Sequence, residues 1–138
     1  MEIRVYPALP EEAVRIREEV FMEEQHFQEE FDGNDPLAVH LVLYQNGMPA
    51  GTCRFFKGDA PGEYLVGRIA VRRFCRGKNF GACLLRRAEE EIRKAGGRTV
   101  RLHAQRQAVP FYEKQGYQAY GSVEYEEYCP HVWMRKKL

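Results

Sequence analysis

One stretch limits the possible folds more than any other: residues 64–97, where a strand-like run gives way to helical spacing through a glycine-rich turn. "YLVGRIAV" (64–71) is apolar and β-branched, as a strand should be. From residue 81 onward Gly81, Leu84, Leu85, Ala88 and Ile92 recur at helical spacing. Gly96-Gly97 then stops that helix, because glycine accepts the φ > 0 backbone of a C-terminal cap. Between the two lies "RRFCRGKNF" (72–80). The first turn of a helix leaves backbone N–H groups without partners at its electropositive end. Gly77 and Gly81 let a ligand approach that backbone, and Asn79 tolerates a left-handed conformation. With Arg76 and Lys78 beside it, the turn has the makings of an anion nest for a phosphate or pyrophosphate. The alternative is an ordinary turn whose glycines only relieve crowding. The spacing fits neither G-x-x-x-x-G-K-[ST] nor G-x-G-x-x-G, which disfavours a nucleoside triphosphate or dinucleotide site.

The flanking sequence supplies the rest of the order. "EIRVY" alternates as a short strand. Pro10, Glu11 and Glu12 open a helix with Ala13, Ile16, Val20 and Phe21 on one face. "HFQEEFDGNDPLA" (26–38) has no period and reads as a surface loop. Two strands follow about Asn46-Gly47, a strong hairpin signal, and 64–71 is the third strand of that meander. After the glycine-opened helix come the strand "RTVRLHA", the short helix "AVPFYEKQ" ended by Gly116, and two final strands, "YQAYGSVEYEEY" and "HVWMRK". The order β-α-β-β-β-α-β-α-β-β predicts an α+β sandwich: a mixed, mostly antiparallel sheet with helices on its faces. No repeat or linker divides the chain, so residues 1–138 are expected to form a single domain.

Composition excludes several function classes. With 21 Lys+Arg against 20 Asp+Glu the net charge is +1, so no general field attracts nucleic acid. Arg68, Arg72, Arg73, Arg76, Lys78, Arg86 and Arg87 nonetheless crowd into residues 68–87, as a solvated face or a local polyanion site. No window is apolar enough for a membrane span and the N-terminus has no leader pattern, which makes the cytoplasm the default location. Cys53, Cys75, Cys83 and Cys129 lack paired spacing and read as reduced thiols. His26, His40, His103 and His131 lack metal-ligand spacing, so no metal is expected.

Taken with the order of elements, the turn resembles the acyl-CoA motif of the GNAT acetyltransferase superfamily, R/Q-x-x-G-x-G/A, here Arg76-Gly77-Lys78-Asn79-Phe80-Gly81. "AQRQAVPFYEKQGY" resembles the family's N-x-x-A-x-x-F-Y-E-K-x-G-F, with Ala108, Phe111, Tyr112, Glu113, Lys114 and Gly116 in register. "VFMEEQ", "EEFDGNDPLAVH", "GTCRFF", "GRIAV" and "PHVWMRKKL" look most like the small ElaA/YjcF-type bacterial branch. Two positions depart from the pattern: Asn79 replaces the first signature glycine, and Gln105 the usual Asn.

The resemblance implies a central strand pair that splays apart, helices on both sheet faces, and acetyl-CoA as co-substrate. Backbone groups of Ile69, Ala70 and Val71 would pair with the pantetheine arm and polarise the thioester. Arg76, Gly77, Lys78, Asn79, Phe80, Gly81 and Ala82 would wrap the pyrophosphate, with Gln105 and Phe111 completing the cofactor site. Tyr112 would be the general acid that protonates the departing thiolate. The family's usual carboxylate on the fourth strand is missing, since Gly67 and Arg68 stand there. Glu24 and His131, with His103 and Glu126 behind them, are the substitutes for a general base. The implied activity is transfer of an acetyl group to a primary amine of a small molecule or peptide. The alternative is a non-catalytic acyl-CoA-binding module; a nucleic-acid-binding domain using the arginines is weaker. A homodimer is common in the superfamily, but the sequence specifies no interface. For the acceptor, the acidic stretch at Glu23, Glu24, Glu29, Glu30, Asp32 and Asp35 reads first as solvated loop acid and otherwise as a lure for a cationic amine, whereas Arg54 and Arg68 would suit an anionic one.

Overall fold

The computed structural model describes residues 1–138. Seven strands form one sheet in the order β1-β2-β3-β4-β5-β7-β6. They are β1 (Glu2–Tyr6), β2 (Val39–Gln45), β3 (Met48–Lys57), β4 (Glu63–Val71), β5 (Thr99–Gln105), β6 (Gln118–Glu126) and β7 (Cys129–Lys137). All neighbours are antiparallel except β4 and β5. The β2–β3 turn places Asn46 at φ 52° and Gly47 at φ 79°, the two left-handed residues that a tight hairpin with right-handed strand twist requires.

Three helices complete the order: α1 (Glu11–Arg17), α2 (Phe80–Lys94) and α3 (Val109–Lys114). The expected helix over α1 continues as a π-helical segment, Glu18–Glu24, before the chain enters the loop. α1 and this segment bury Ala13, Ile16, Val20 and Phe21 against Val42, Tyr44 and Ala70 on one sheet face. α2 buries Leu84, Leu85, Ala88 and Ile92 against Leu41, Leu43, Cys53, Val66, Val100 and Leu102 on the other. Full burial of side chains such as Leu84 and Leu85 is worth about 1.5–3 kcal/mol each, so α2 is held mainly by its apolar face.

Two irregularities shape the middle of the sheet. β4 and β5 pair only from Glu63 to Leu65 with Thr99 to Arg101, and beyond that point they separate. The expected splay is therefore real, and it opens a wedge beside residues 66–71. On the other side of β4 a bulge sets Arg68 and Ile69 opposite the single residue Cys53, with Arg68 at φ 53°. The bulge re-aims two side chains. Arg68 reaches out to Glu30 and Asp32, while Ile69 packs towards the main core beside Gly81.

The loop at residues 25–38 is pinned rather than loose. Arg17, only 1% exposed, donates to Glu30 (2.8 Å) and Asp35 (2.8 Å). Arg54 donates to Asp32 and Asp35 (both 2.7 Å), and Arg68 lies 2.8 Å from Glu30. Three guanidinium groups thus face three carboxylates beneath the loop. Arg54 hydrogen bonds hold the Asp32 carboxyl below its usual range, and those from Arg17 and Arg54 do the same for Asp35 against the opposing effect of burial. Burial instead raises Glu30.

Candidate active site

The turn before α2 has the geometry of an anion nest. Gly77 sits at φ 81°, where an L side chain is strained, and Asn79 occupies the left-handed region at φ 64°, ψ 21°. Asn79 therefore adopts the backbone form for which a glycine would otherwise be required. None of the backbone N–H groups of residues 77–82 donates a hydrogen bond within the protein, and no side chain caps α2. A row of parallel donors at a helix N-terminus is an anion site by construction. Gly81 keeps it accessible. A Cβ there would stand 3.4 Å from the Phe111 ring, and any larger group would press on it.

Arg76 is less free than its position suggests. Its guanidinium grips Glu24 through two 2.7 Å hydrogen bonds, and its Nε donates to the Val71 carbonyl. Glu24 also lies 3.5 Å from Arg73, and hydrogen bonding to Arg76 lowers its carboxyl below the usual range. Such a carboxylate has little appetite for a proton. It does not line the cleft that holds Tyr112, and its two carboxylate oxygens clasp Arg76. Lys78 is exposed, with Nζ on the Gln45 amide.

The wedge between β4 and β5 opens into a cleft of about 680 Å³. Its floor is Val66, Gly67 and Ile69 of β4 with Leu102, His103 and Gln105 of β5. Gly67 has nothing within 4 Å of where a Cβ would stand, so the floor is open there. The loop forms one wall and the β6–β7 turn the other. These walls are tied together. Glu127 accepts from the backbone N–H groups of Gln28 and Glu29, Tyr128 donates its hydroxyl to the Gln25 carbonyl, and Phe27 stacks on Tyr128 at 5.4 Å. A larger hollow of about 1150 Å³ lies towards the Glu63 end of β4, on the far side of Phe56, Leu65 and Trp133. It touches neither Tyr112 nor the α2 nest.

Tyr112 lines the cleft. Its ring packs against Phe111 (5.0 Å) and Tyr117 (6.0 Å), and its hydroxyl makes no hydrogen bond within the protein. Burial, with the Cys53 thiol nearby, raises the phenol well above its ordinary range, so it holds its proton at neutral and moderately alkaline pH. Gln105 also reaches the cleft, but its amide is engaged by Gln25 (2.8 Å) and Gln107.

The other three base candidates come together. The 5% exposed His131 uses Nδ1 to donate to the Cys129 carbonyl at 3.0 Å. That bond places a proton on Nδ1, so in the neutral ring the lone pair is on Nε2, which has no hydrogen-bond partner and stands 3.6 Å from Glu126. Glu126 accepts from His103 Nδ1, and His103 stacks on Trp133 at 4.5 Å and lies 4.9 Å from the His131 ring. Cross-strand register explains the grouping: Gln105 faces His131, His131 faces Glu124, and His103 faces Trp133. All four cysteines are free thiols; burial pushes Cys53 up to about 12, which leaves it inert.

A cofactor nest, a splayed strand pair and a tyrosine beside the opening are what the sequence motifs imply, and a family model for the acetyltransferase (GNAT) domain matches residues 5–138. The chain belongs to the GNAT acetyltransferase family. It is an acyltransferase. The GNAT relative YjcF of Bacillus subtilis, an uncharacterized N-acetyltransferase, is 34% identical over 91% of this chain and 90% of its own length. A solved structure of a candidate N-acetyltransferase from Lactobacillus plantarum superposes with a TM-score of 0.89 at 31% identity, covering 99% of this chain and 97% of that one. Escherichia coli ElaA gives 0.86 at 25% identity, with 98% of both chains covered. The GNAT fold alone is shared with aminoglycoside 6′-N-acetyltransferase, solved with coenzyme A, at a TM-score of 0.78 and 16% identity. No helix of this GNAT chain is long and apolar enough to cross a membrane.

Proposed function

We propose that the whole chain, residues 1–138, works as one domain that moves the acetyl group of acetyl-CoA directly to a primary amine. The observation that carries this reading is the row of unpartnered N–H groups at 77–82, which neighbours the wedge that holds Tyr112 through Ile69, a lining residue of that wedge 4.0 Å from where a Gly81 Cβ would stand. Acetyl-CoA, when bound, supplies an activated acyl thioester. The residues fit it. Backbone donors of Gly77 to Ala82 match a pyrophosphate, Lys78 adds charge, and Arg76 reaches a phosphate by giving up Glu24. Ile69, Ala70 and Val71 lie on the side of β4 that β5 has left, where their backbone groups can pair with an extended amide-bearing arm. A β4 N–H aimed into the wedge stabilises oxygen charge developing there.

His131 takes the proton from the attacking amine at Nε2, with Glu126 positioned to stabilise the imidazolium that forms. Tyr112 delivers its phenolic proton to the departing sulfur. The direct chemistry calls for both groups on one cleft, and both line it.

The test is calorimetric titration with acetyl-CoA, followed by a thiol-release assay with an amine panel. Wild type is expected to bind at about micromolar Kd, and Gly81→Val to lose that binding by pressing on Phe111. Equal affinity in the two proteins rejects the pyrophosphate assignment. Binding without thiol release from any amine favours the non-catalytic acyl-CoA module.

A further inference from the structure

Resting on the N-acetyltransferase reading, we infer that the acceptor is a dication: a primary amine with a second positive charge, of the diamine or polyamine class. Two guanidinium groups line the cleft, those of Arg54 and Arg68, and no lysine does. The terminal nitrogens of both already face carboxylates, although Arg54 Nε has no hydrogen-bond partner. Arg17, Arg54 and Arg68 face Glu30, Asp32 and Asp35, with every contact at or below 3.3 Å. That pairing of charges weakens the argument for an anionic acceptor. It also withdraws Glu30, Asp32 and Asp35 from the acidic stretch that the sequence offers to a cation.

What remains is Glu29, Glu126 and Glu127, none of which has a lysine or arginine within 4 Å. Carboxylates alone do not define a site. A second observation comes from a different side chain: His131 is 95% buried and lines the cleft, its Nδ1 is used on the Cys129 carbonyl, and its Nε2 has no hydrogen-bond partner. An unpartnered ring nitrogen facing a cleft is open to an N–H from the ligand. The walls near it are aromatic, Phe27 edge-on to His131 at 6.4 Å and Trp133 beyond His103, and aromatic faces accept cations. One end of the acceptor is thus an amine donating to His131, and the other a cation at the rim beside Glu29 and Glu127. A carboxylate on the acceptor would meet like charge and no free cation, which is costly.

The experiment is thiol release from acetyl-CoA with three acceptors of equal chain length: 1,4-diaminobutane, 1-aminobutane and 4-aminobutanoate. The diamine is expected to exceed the monoamine in kcat/KM by about tenfold and the amino acid by more, with an advantage that shrinks as salt rises to about 0.5 M. Glu29→Lys, which touches neither proton-transfer group, should lower kcat/KM for the diamine about tenfold and leave the monoamine within about twofold. Preference for the monoamine or the amino acid overturns the inference and leaves the N-acetyltransferase reading standing. So does a diamine advantage that both salt and Glu29→Lys leave intact. No thiol release from any of the three, with acetyl-CoA binding retained in calorimetry, removes the N-acetyltransferase reading and the inference with it.

Discussion

At the scale of single residues, the proposed chemistry divides between two groups whose surroundings differ. Tyr112 keeps its proton because burial disfavours the phenolate. An acid with a raised pKa remains competent as pH climbs, so the alkaline limb of the kcat profile should lie above ~10, where an ordinary tyrosine titrates. A limb below that value in wild type, or one unchanged in position and height by Tyr112→Phe, removes the phenol from catalysis. Tyr112→Phe itself should lower kcat by about 10²-fold or more, with acetyl-CoA affinity held within about twofold in calorimetry. In the sequence His131 is one of four scattered histidines, and only the family resemblance makes it a candidate base. The proton on its Nδ1 is held by a carbonyl two residues away, a contact that no residue spacing announces. Arg17 was hidden more deeply. Within "AVRIREEV" it looks like one more exposed charge, yet it is almost wholly buried, since its partners Glu30 and Asp35 lie in a loop with no periodicity to read.

Among the elements, α2 was the most legible and the β6–β7 turn the least. The α2 segment carries its own punctuation: glycines where the backbone must open, apolar residues at helical spacing, and a glycine pair at the end. Each of these is a local rule, and each holds in the structure. Glu24 shows the limit of such reading. Its acidity suggested a base, but its meaning depends on Arg76, far off in the chain and 2.7 Å away in space. Glu24→Gln removes a carboxylate that competes with phosphate for Arg76. It should therefore tighten acetyl-CoA binding a few-fold at low ionic strength and leave kcat nearly unchanged; a collapse of kcat would return Glu24 to the role of base. Gly77→Ala forces an L side chain to φ 81° and should cost about 1 kcal/mol or more in urea denaturation. The β6–β7 turn reaches the cleft through Glu126 and Glu127, while Tyr128 ties it to the loop at Gln25. Strand alternation in "YGSVEYEEY" cannot disclose which of its acids end up facing a ligand.

For the molecule as a whole, stability rests on two unlike things, an apolar core under α2 and an ion network under the loop. Asp35→Asn strips Arg17 and Arg54 of a buried counter-charge and should cost about 3–5 kcal/mol, read as a fall in urea midpoint at constant slope. Removing the exposed Arg15–Glu11 pair should change stability by less than about 0.5 kcal/mol. The pH dependence follows from the same network. Asp32 and Asp35 are held below their unfolded values, so their contribution is present above pH ~4 and is lost as pH falls through the lower folded values. Burial likewise lowers His40, whose contribution is full above ~6.5 and declines below it, while Glu30, raised by burial, works in the opposite sense. The thermal midpoint should thus begin to fall below pH ~6.5 and fall more steeply below ~4. One consequence of the splay reaches further. β4 and β5 are joined by pairing at Glu63–Leu65 alone, so the middle of the sheet is a zipper left mostly undone. In hydrogen–deuterium exchange, seam-facing amides of residues 67–71 should exchange far faster than their central position suggests, and acetyl-CoA should slow them selectively. The protein then finishes building its own sheet each time it takes up a substrate, and takes that piece out again each time it lets a product go.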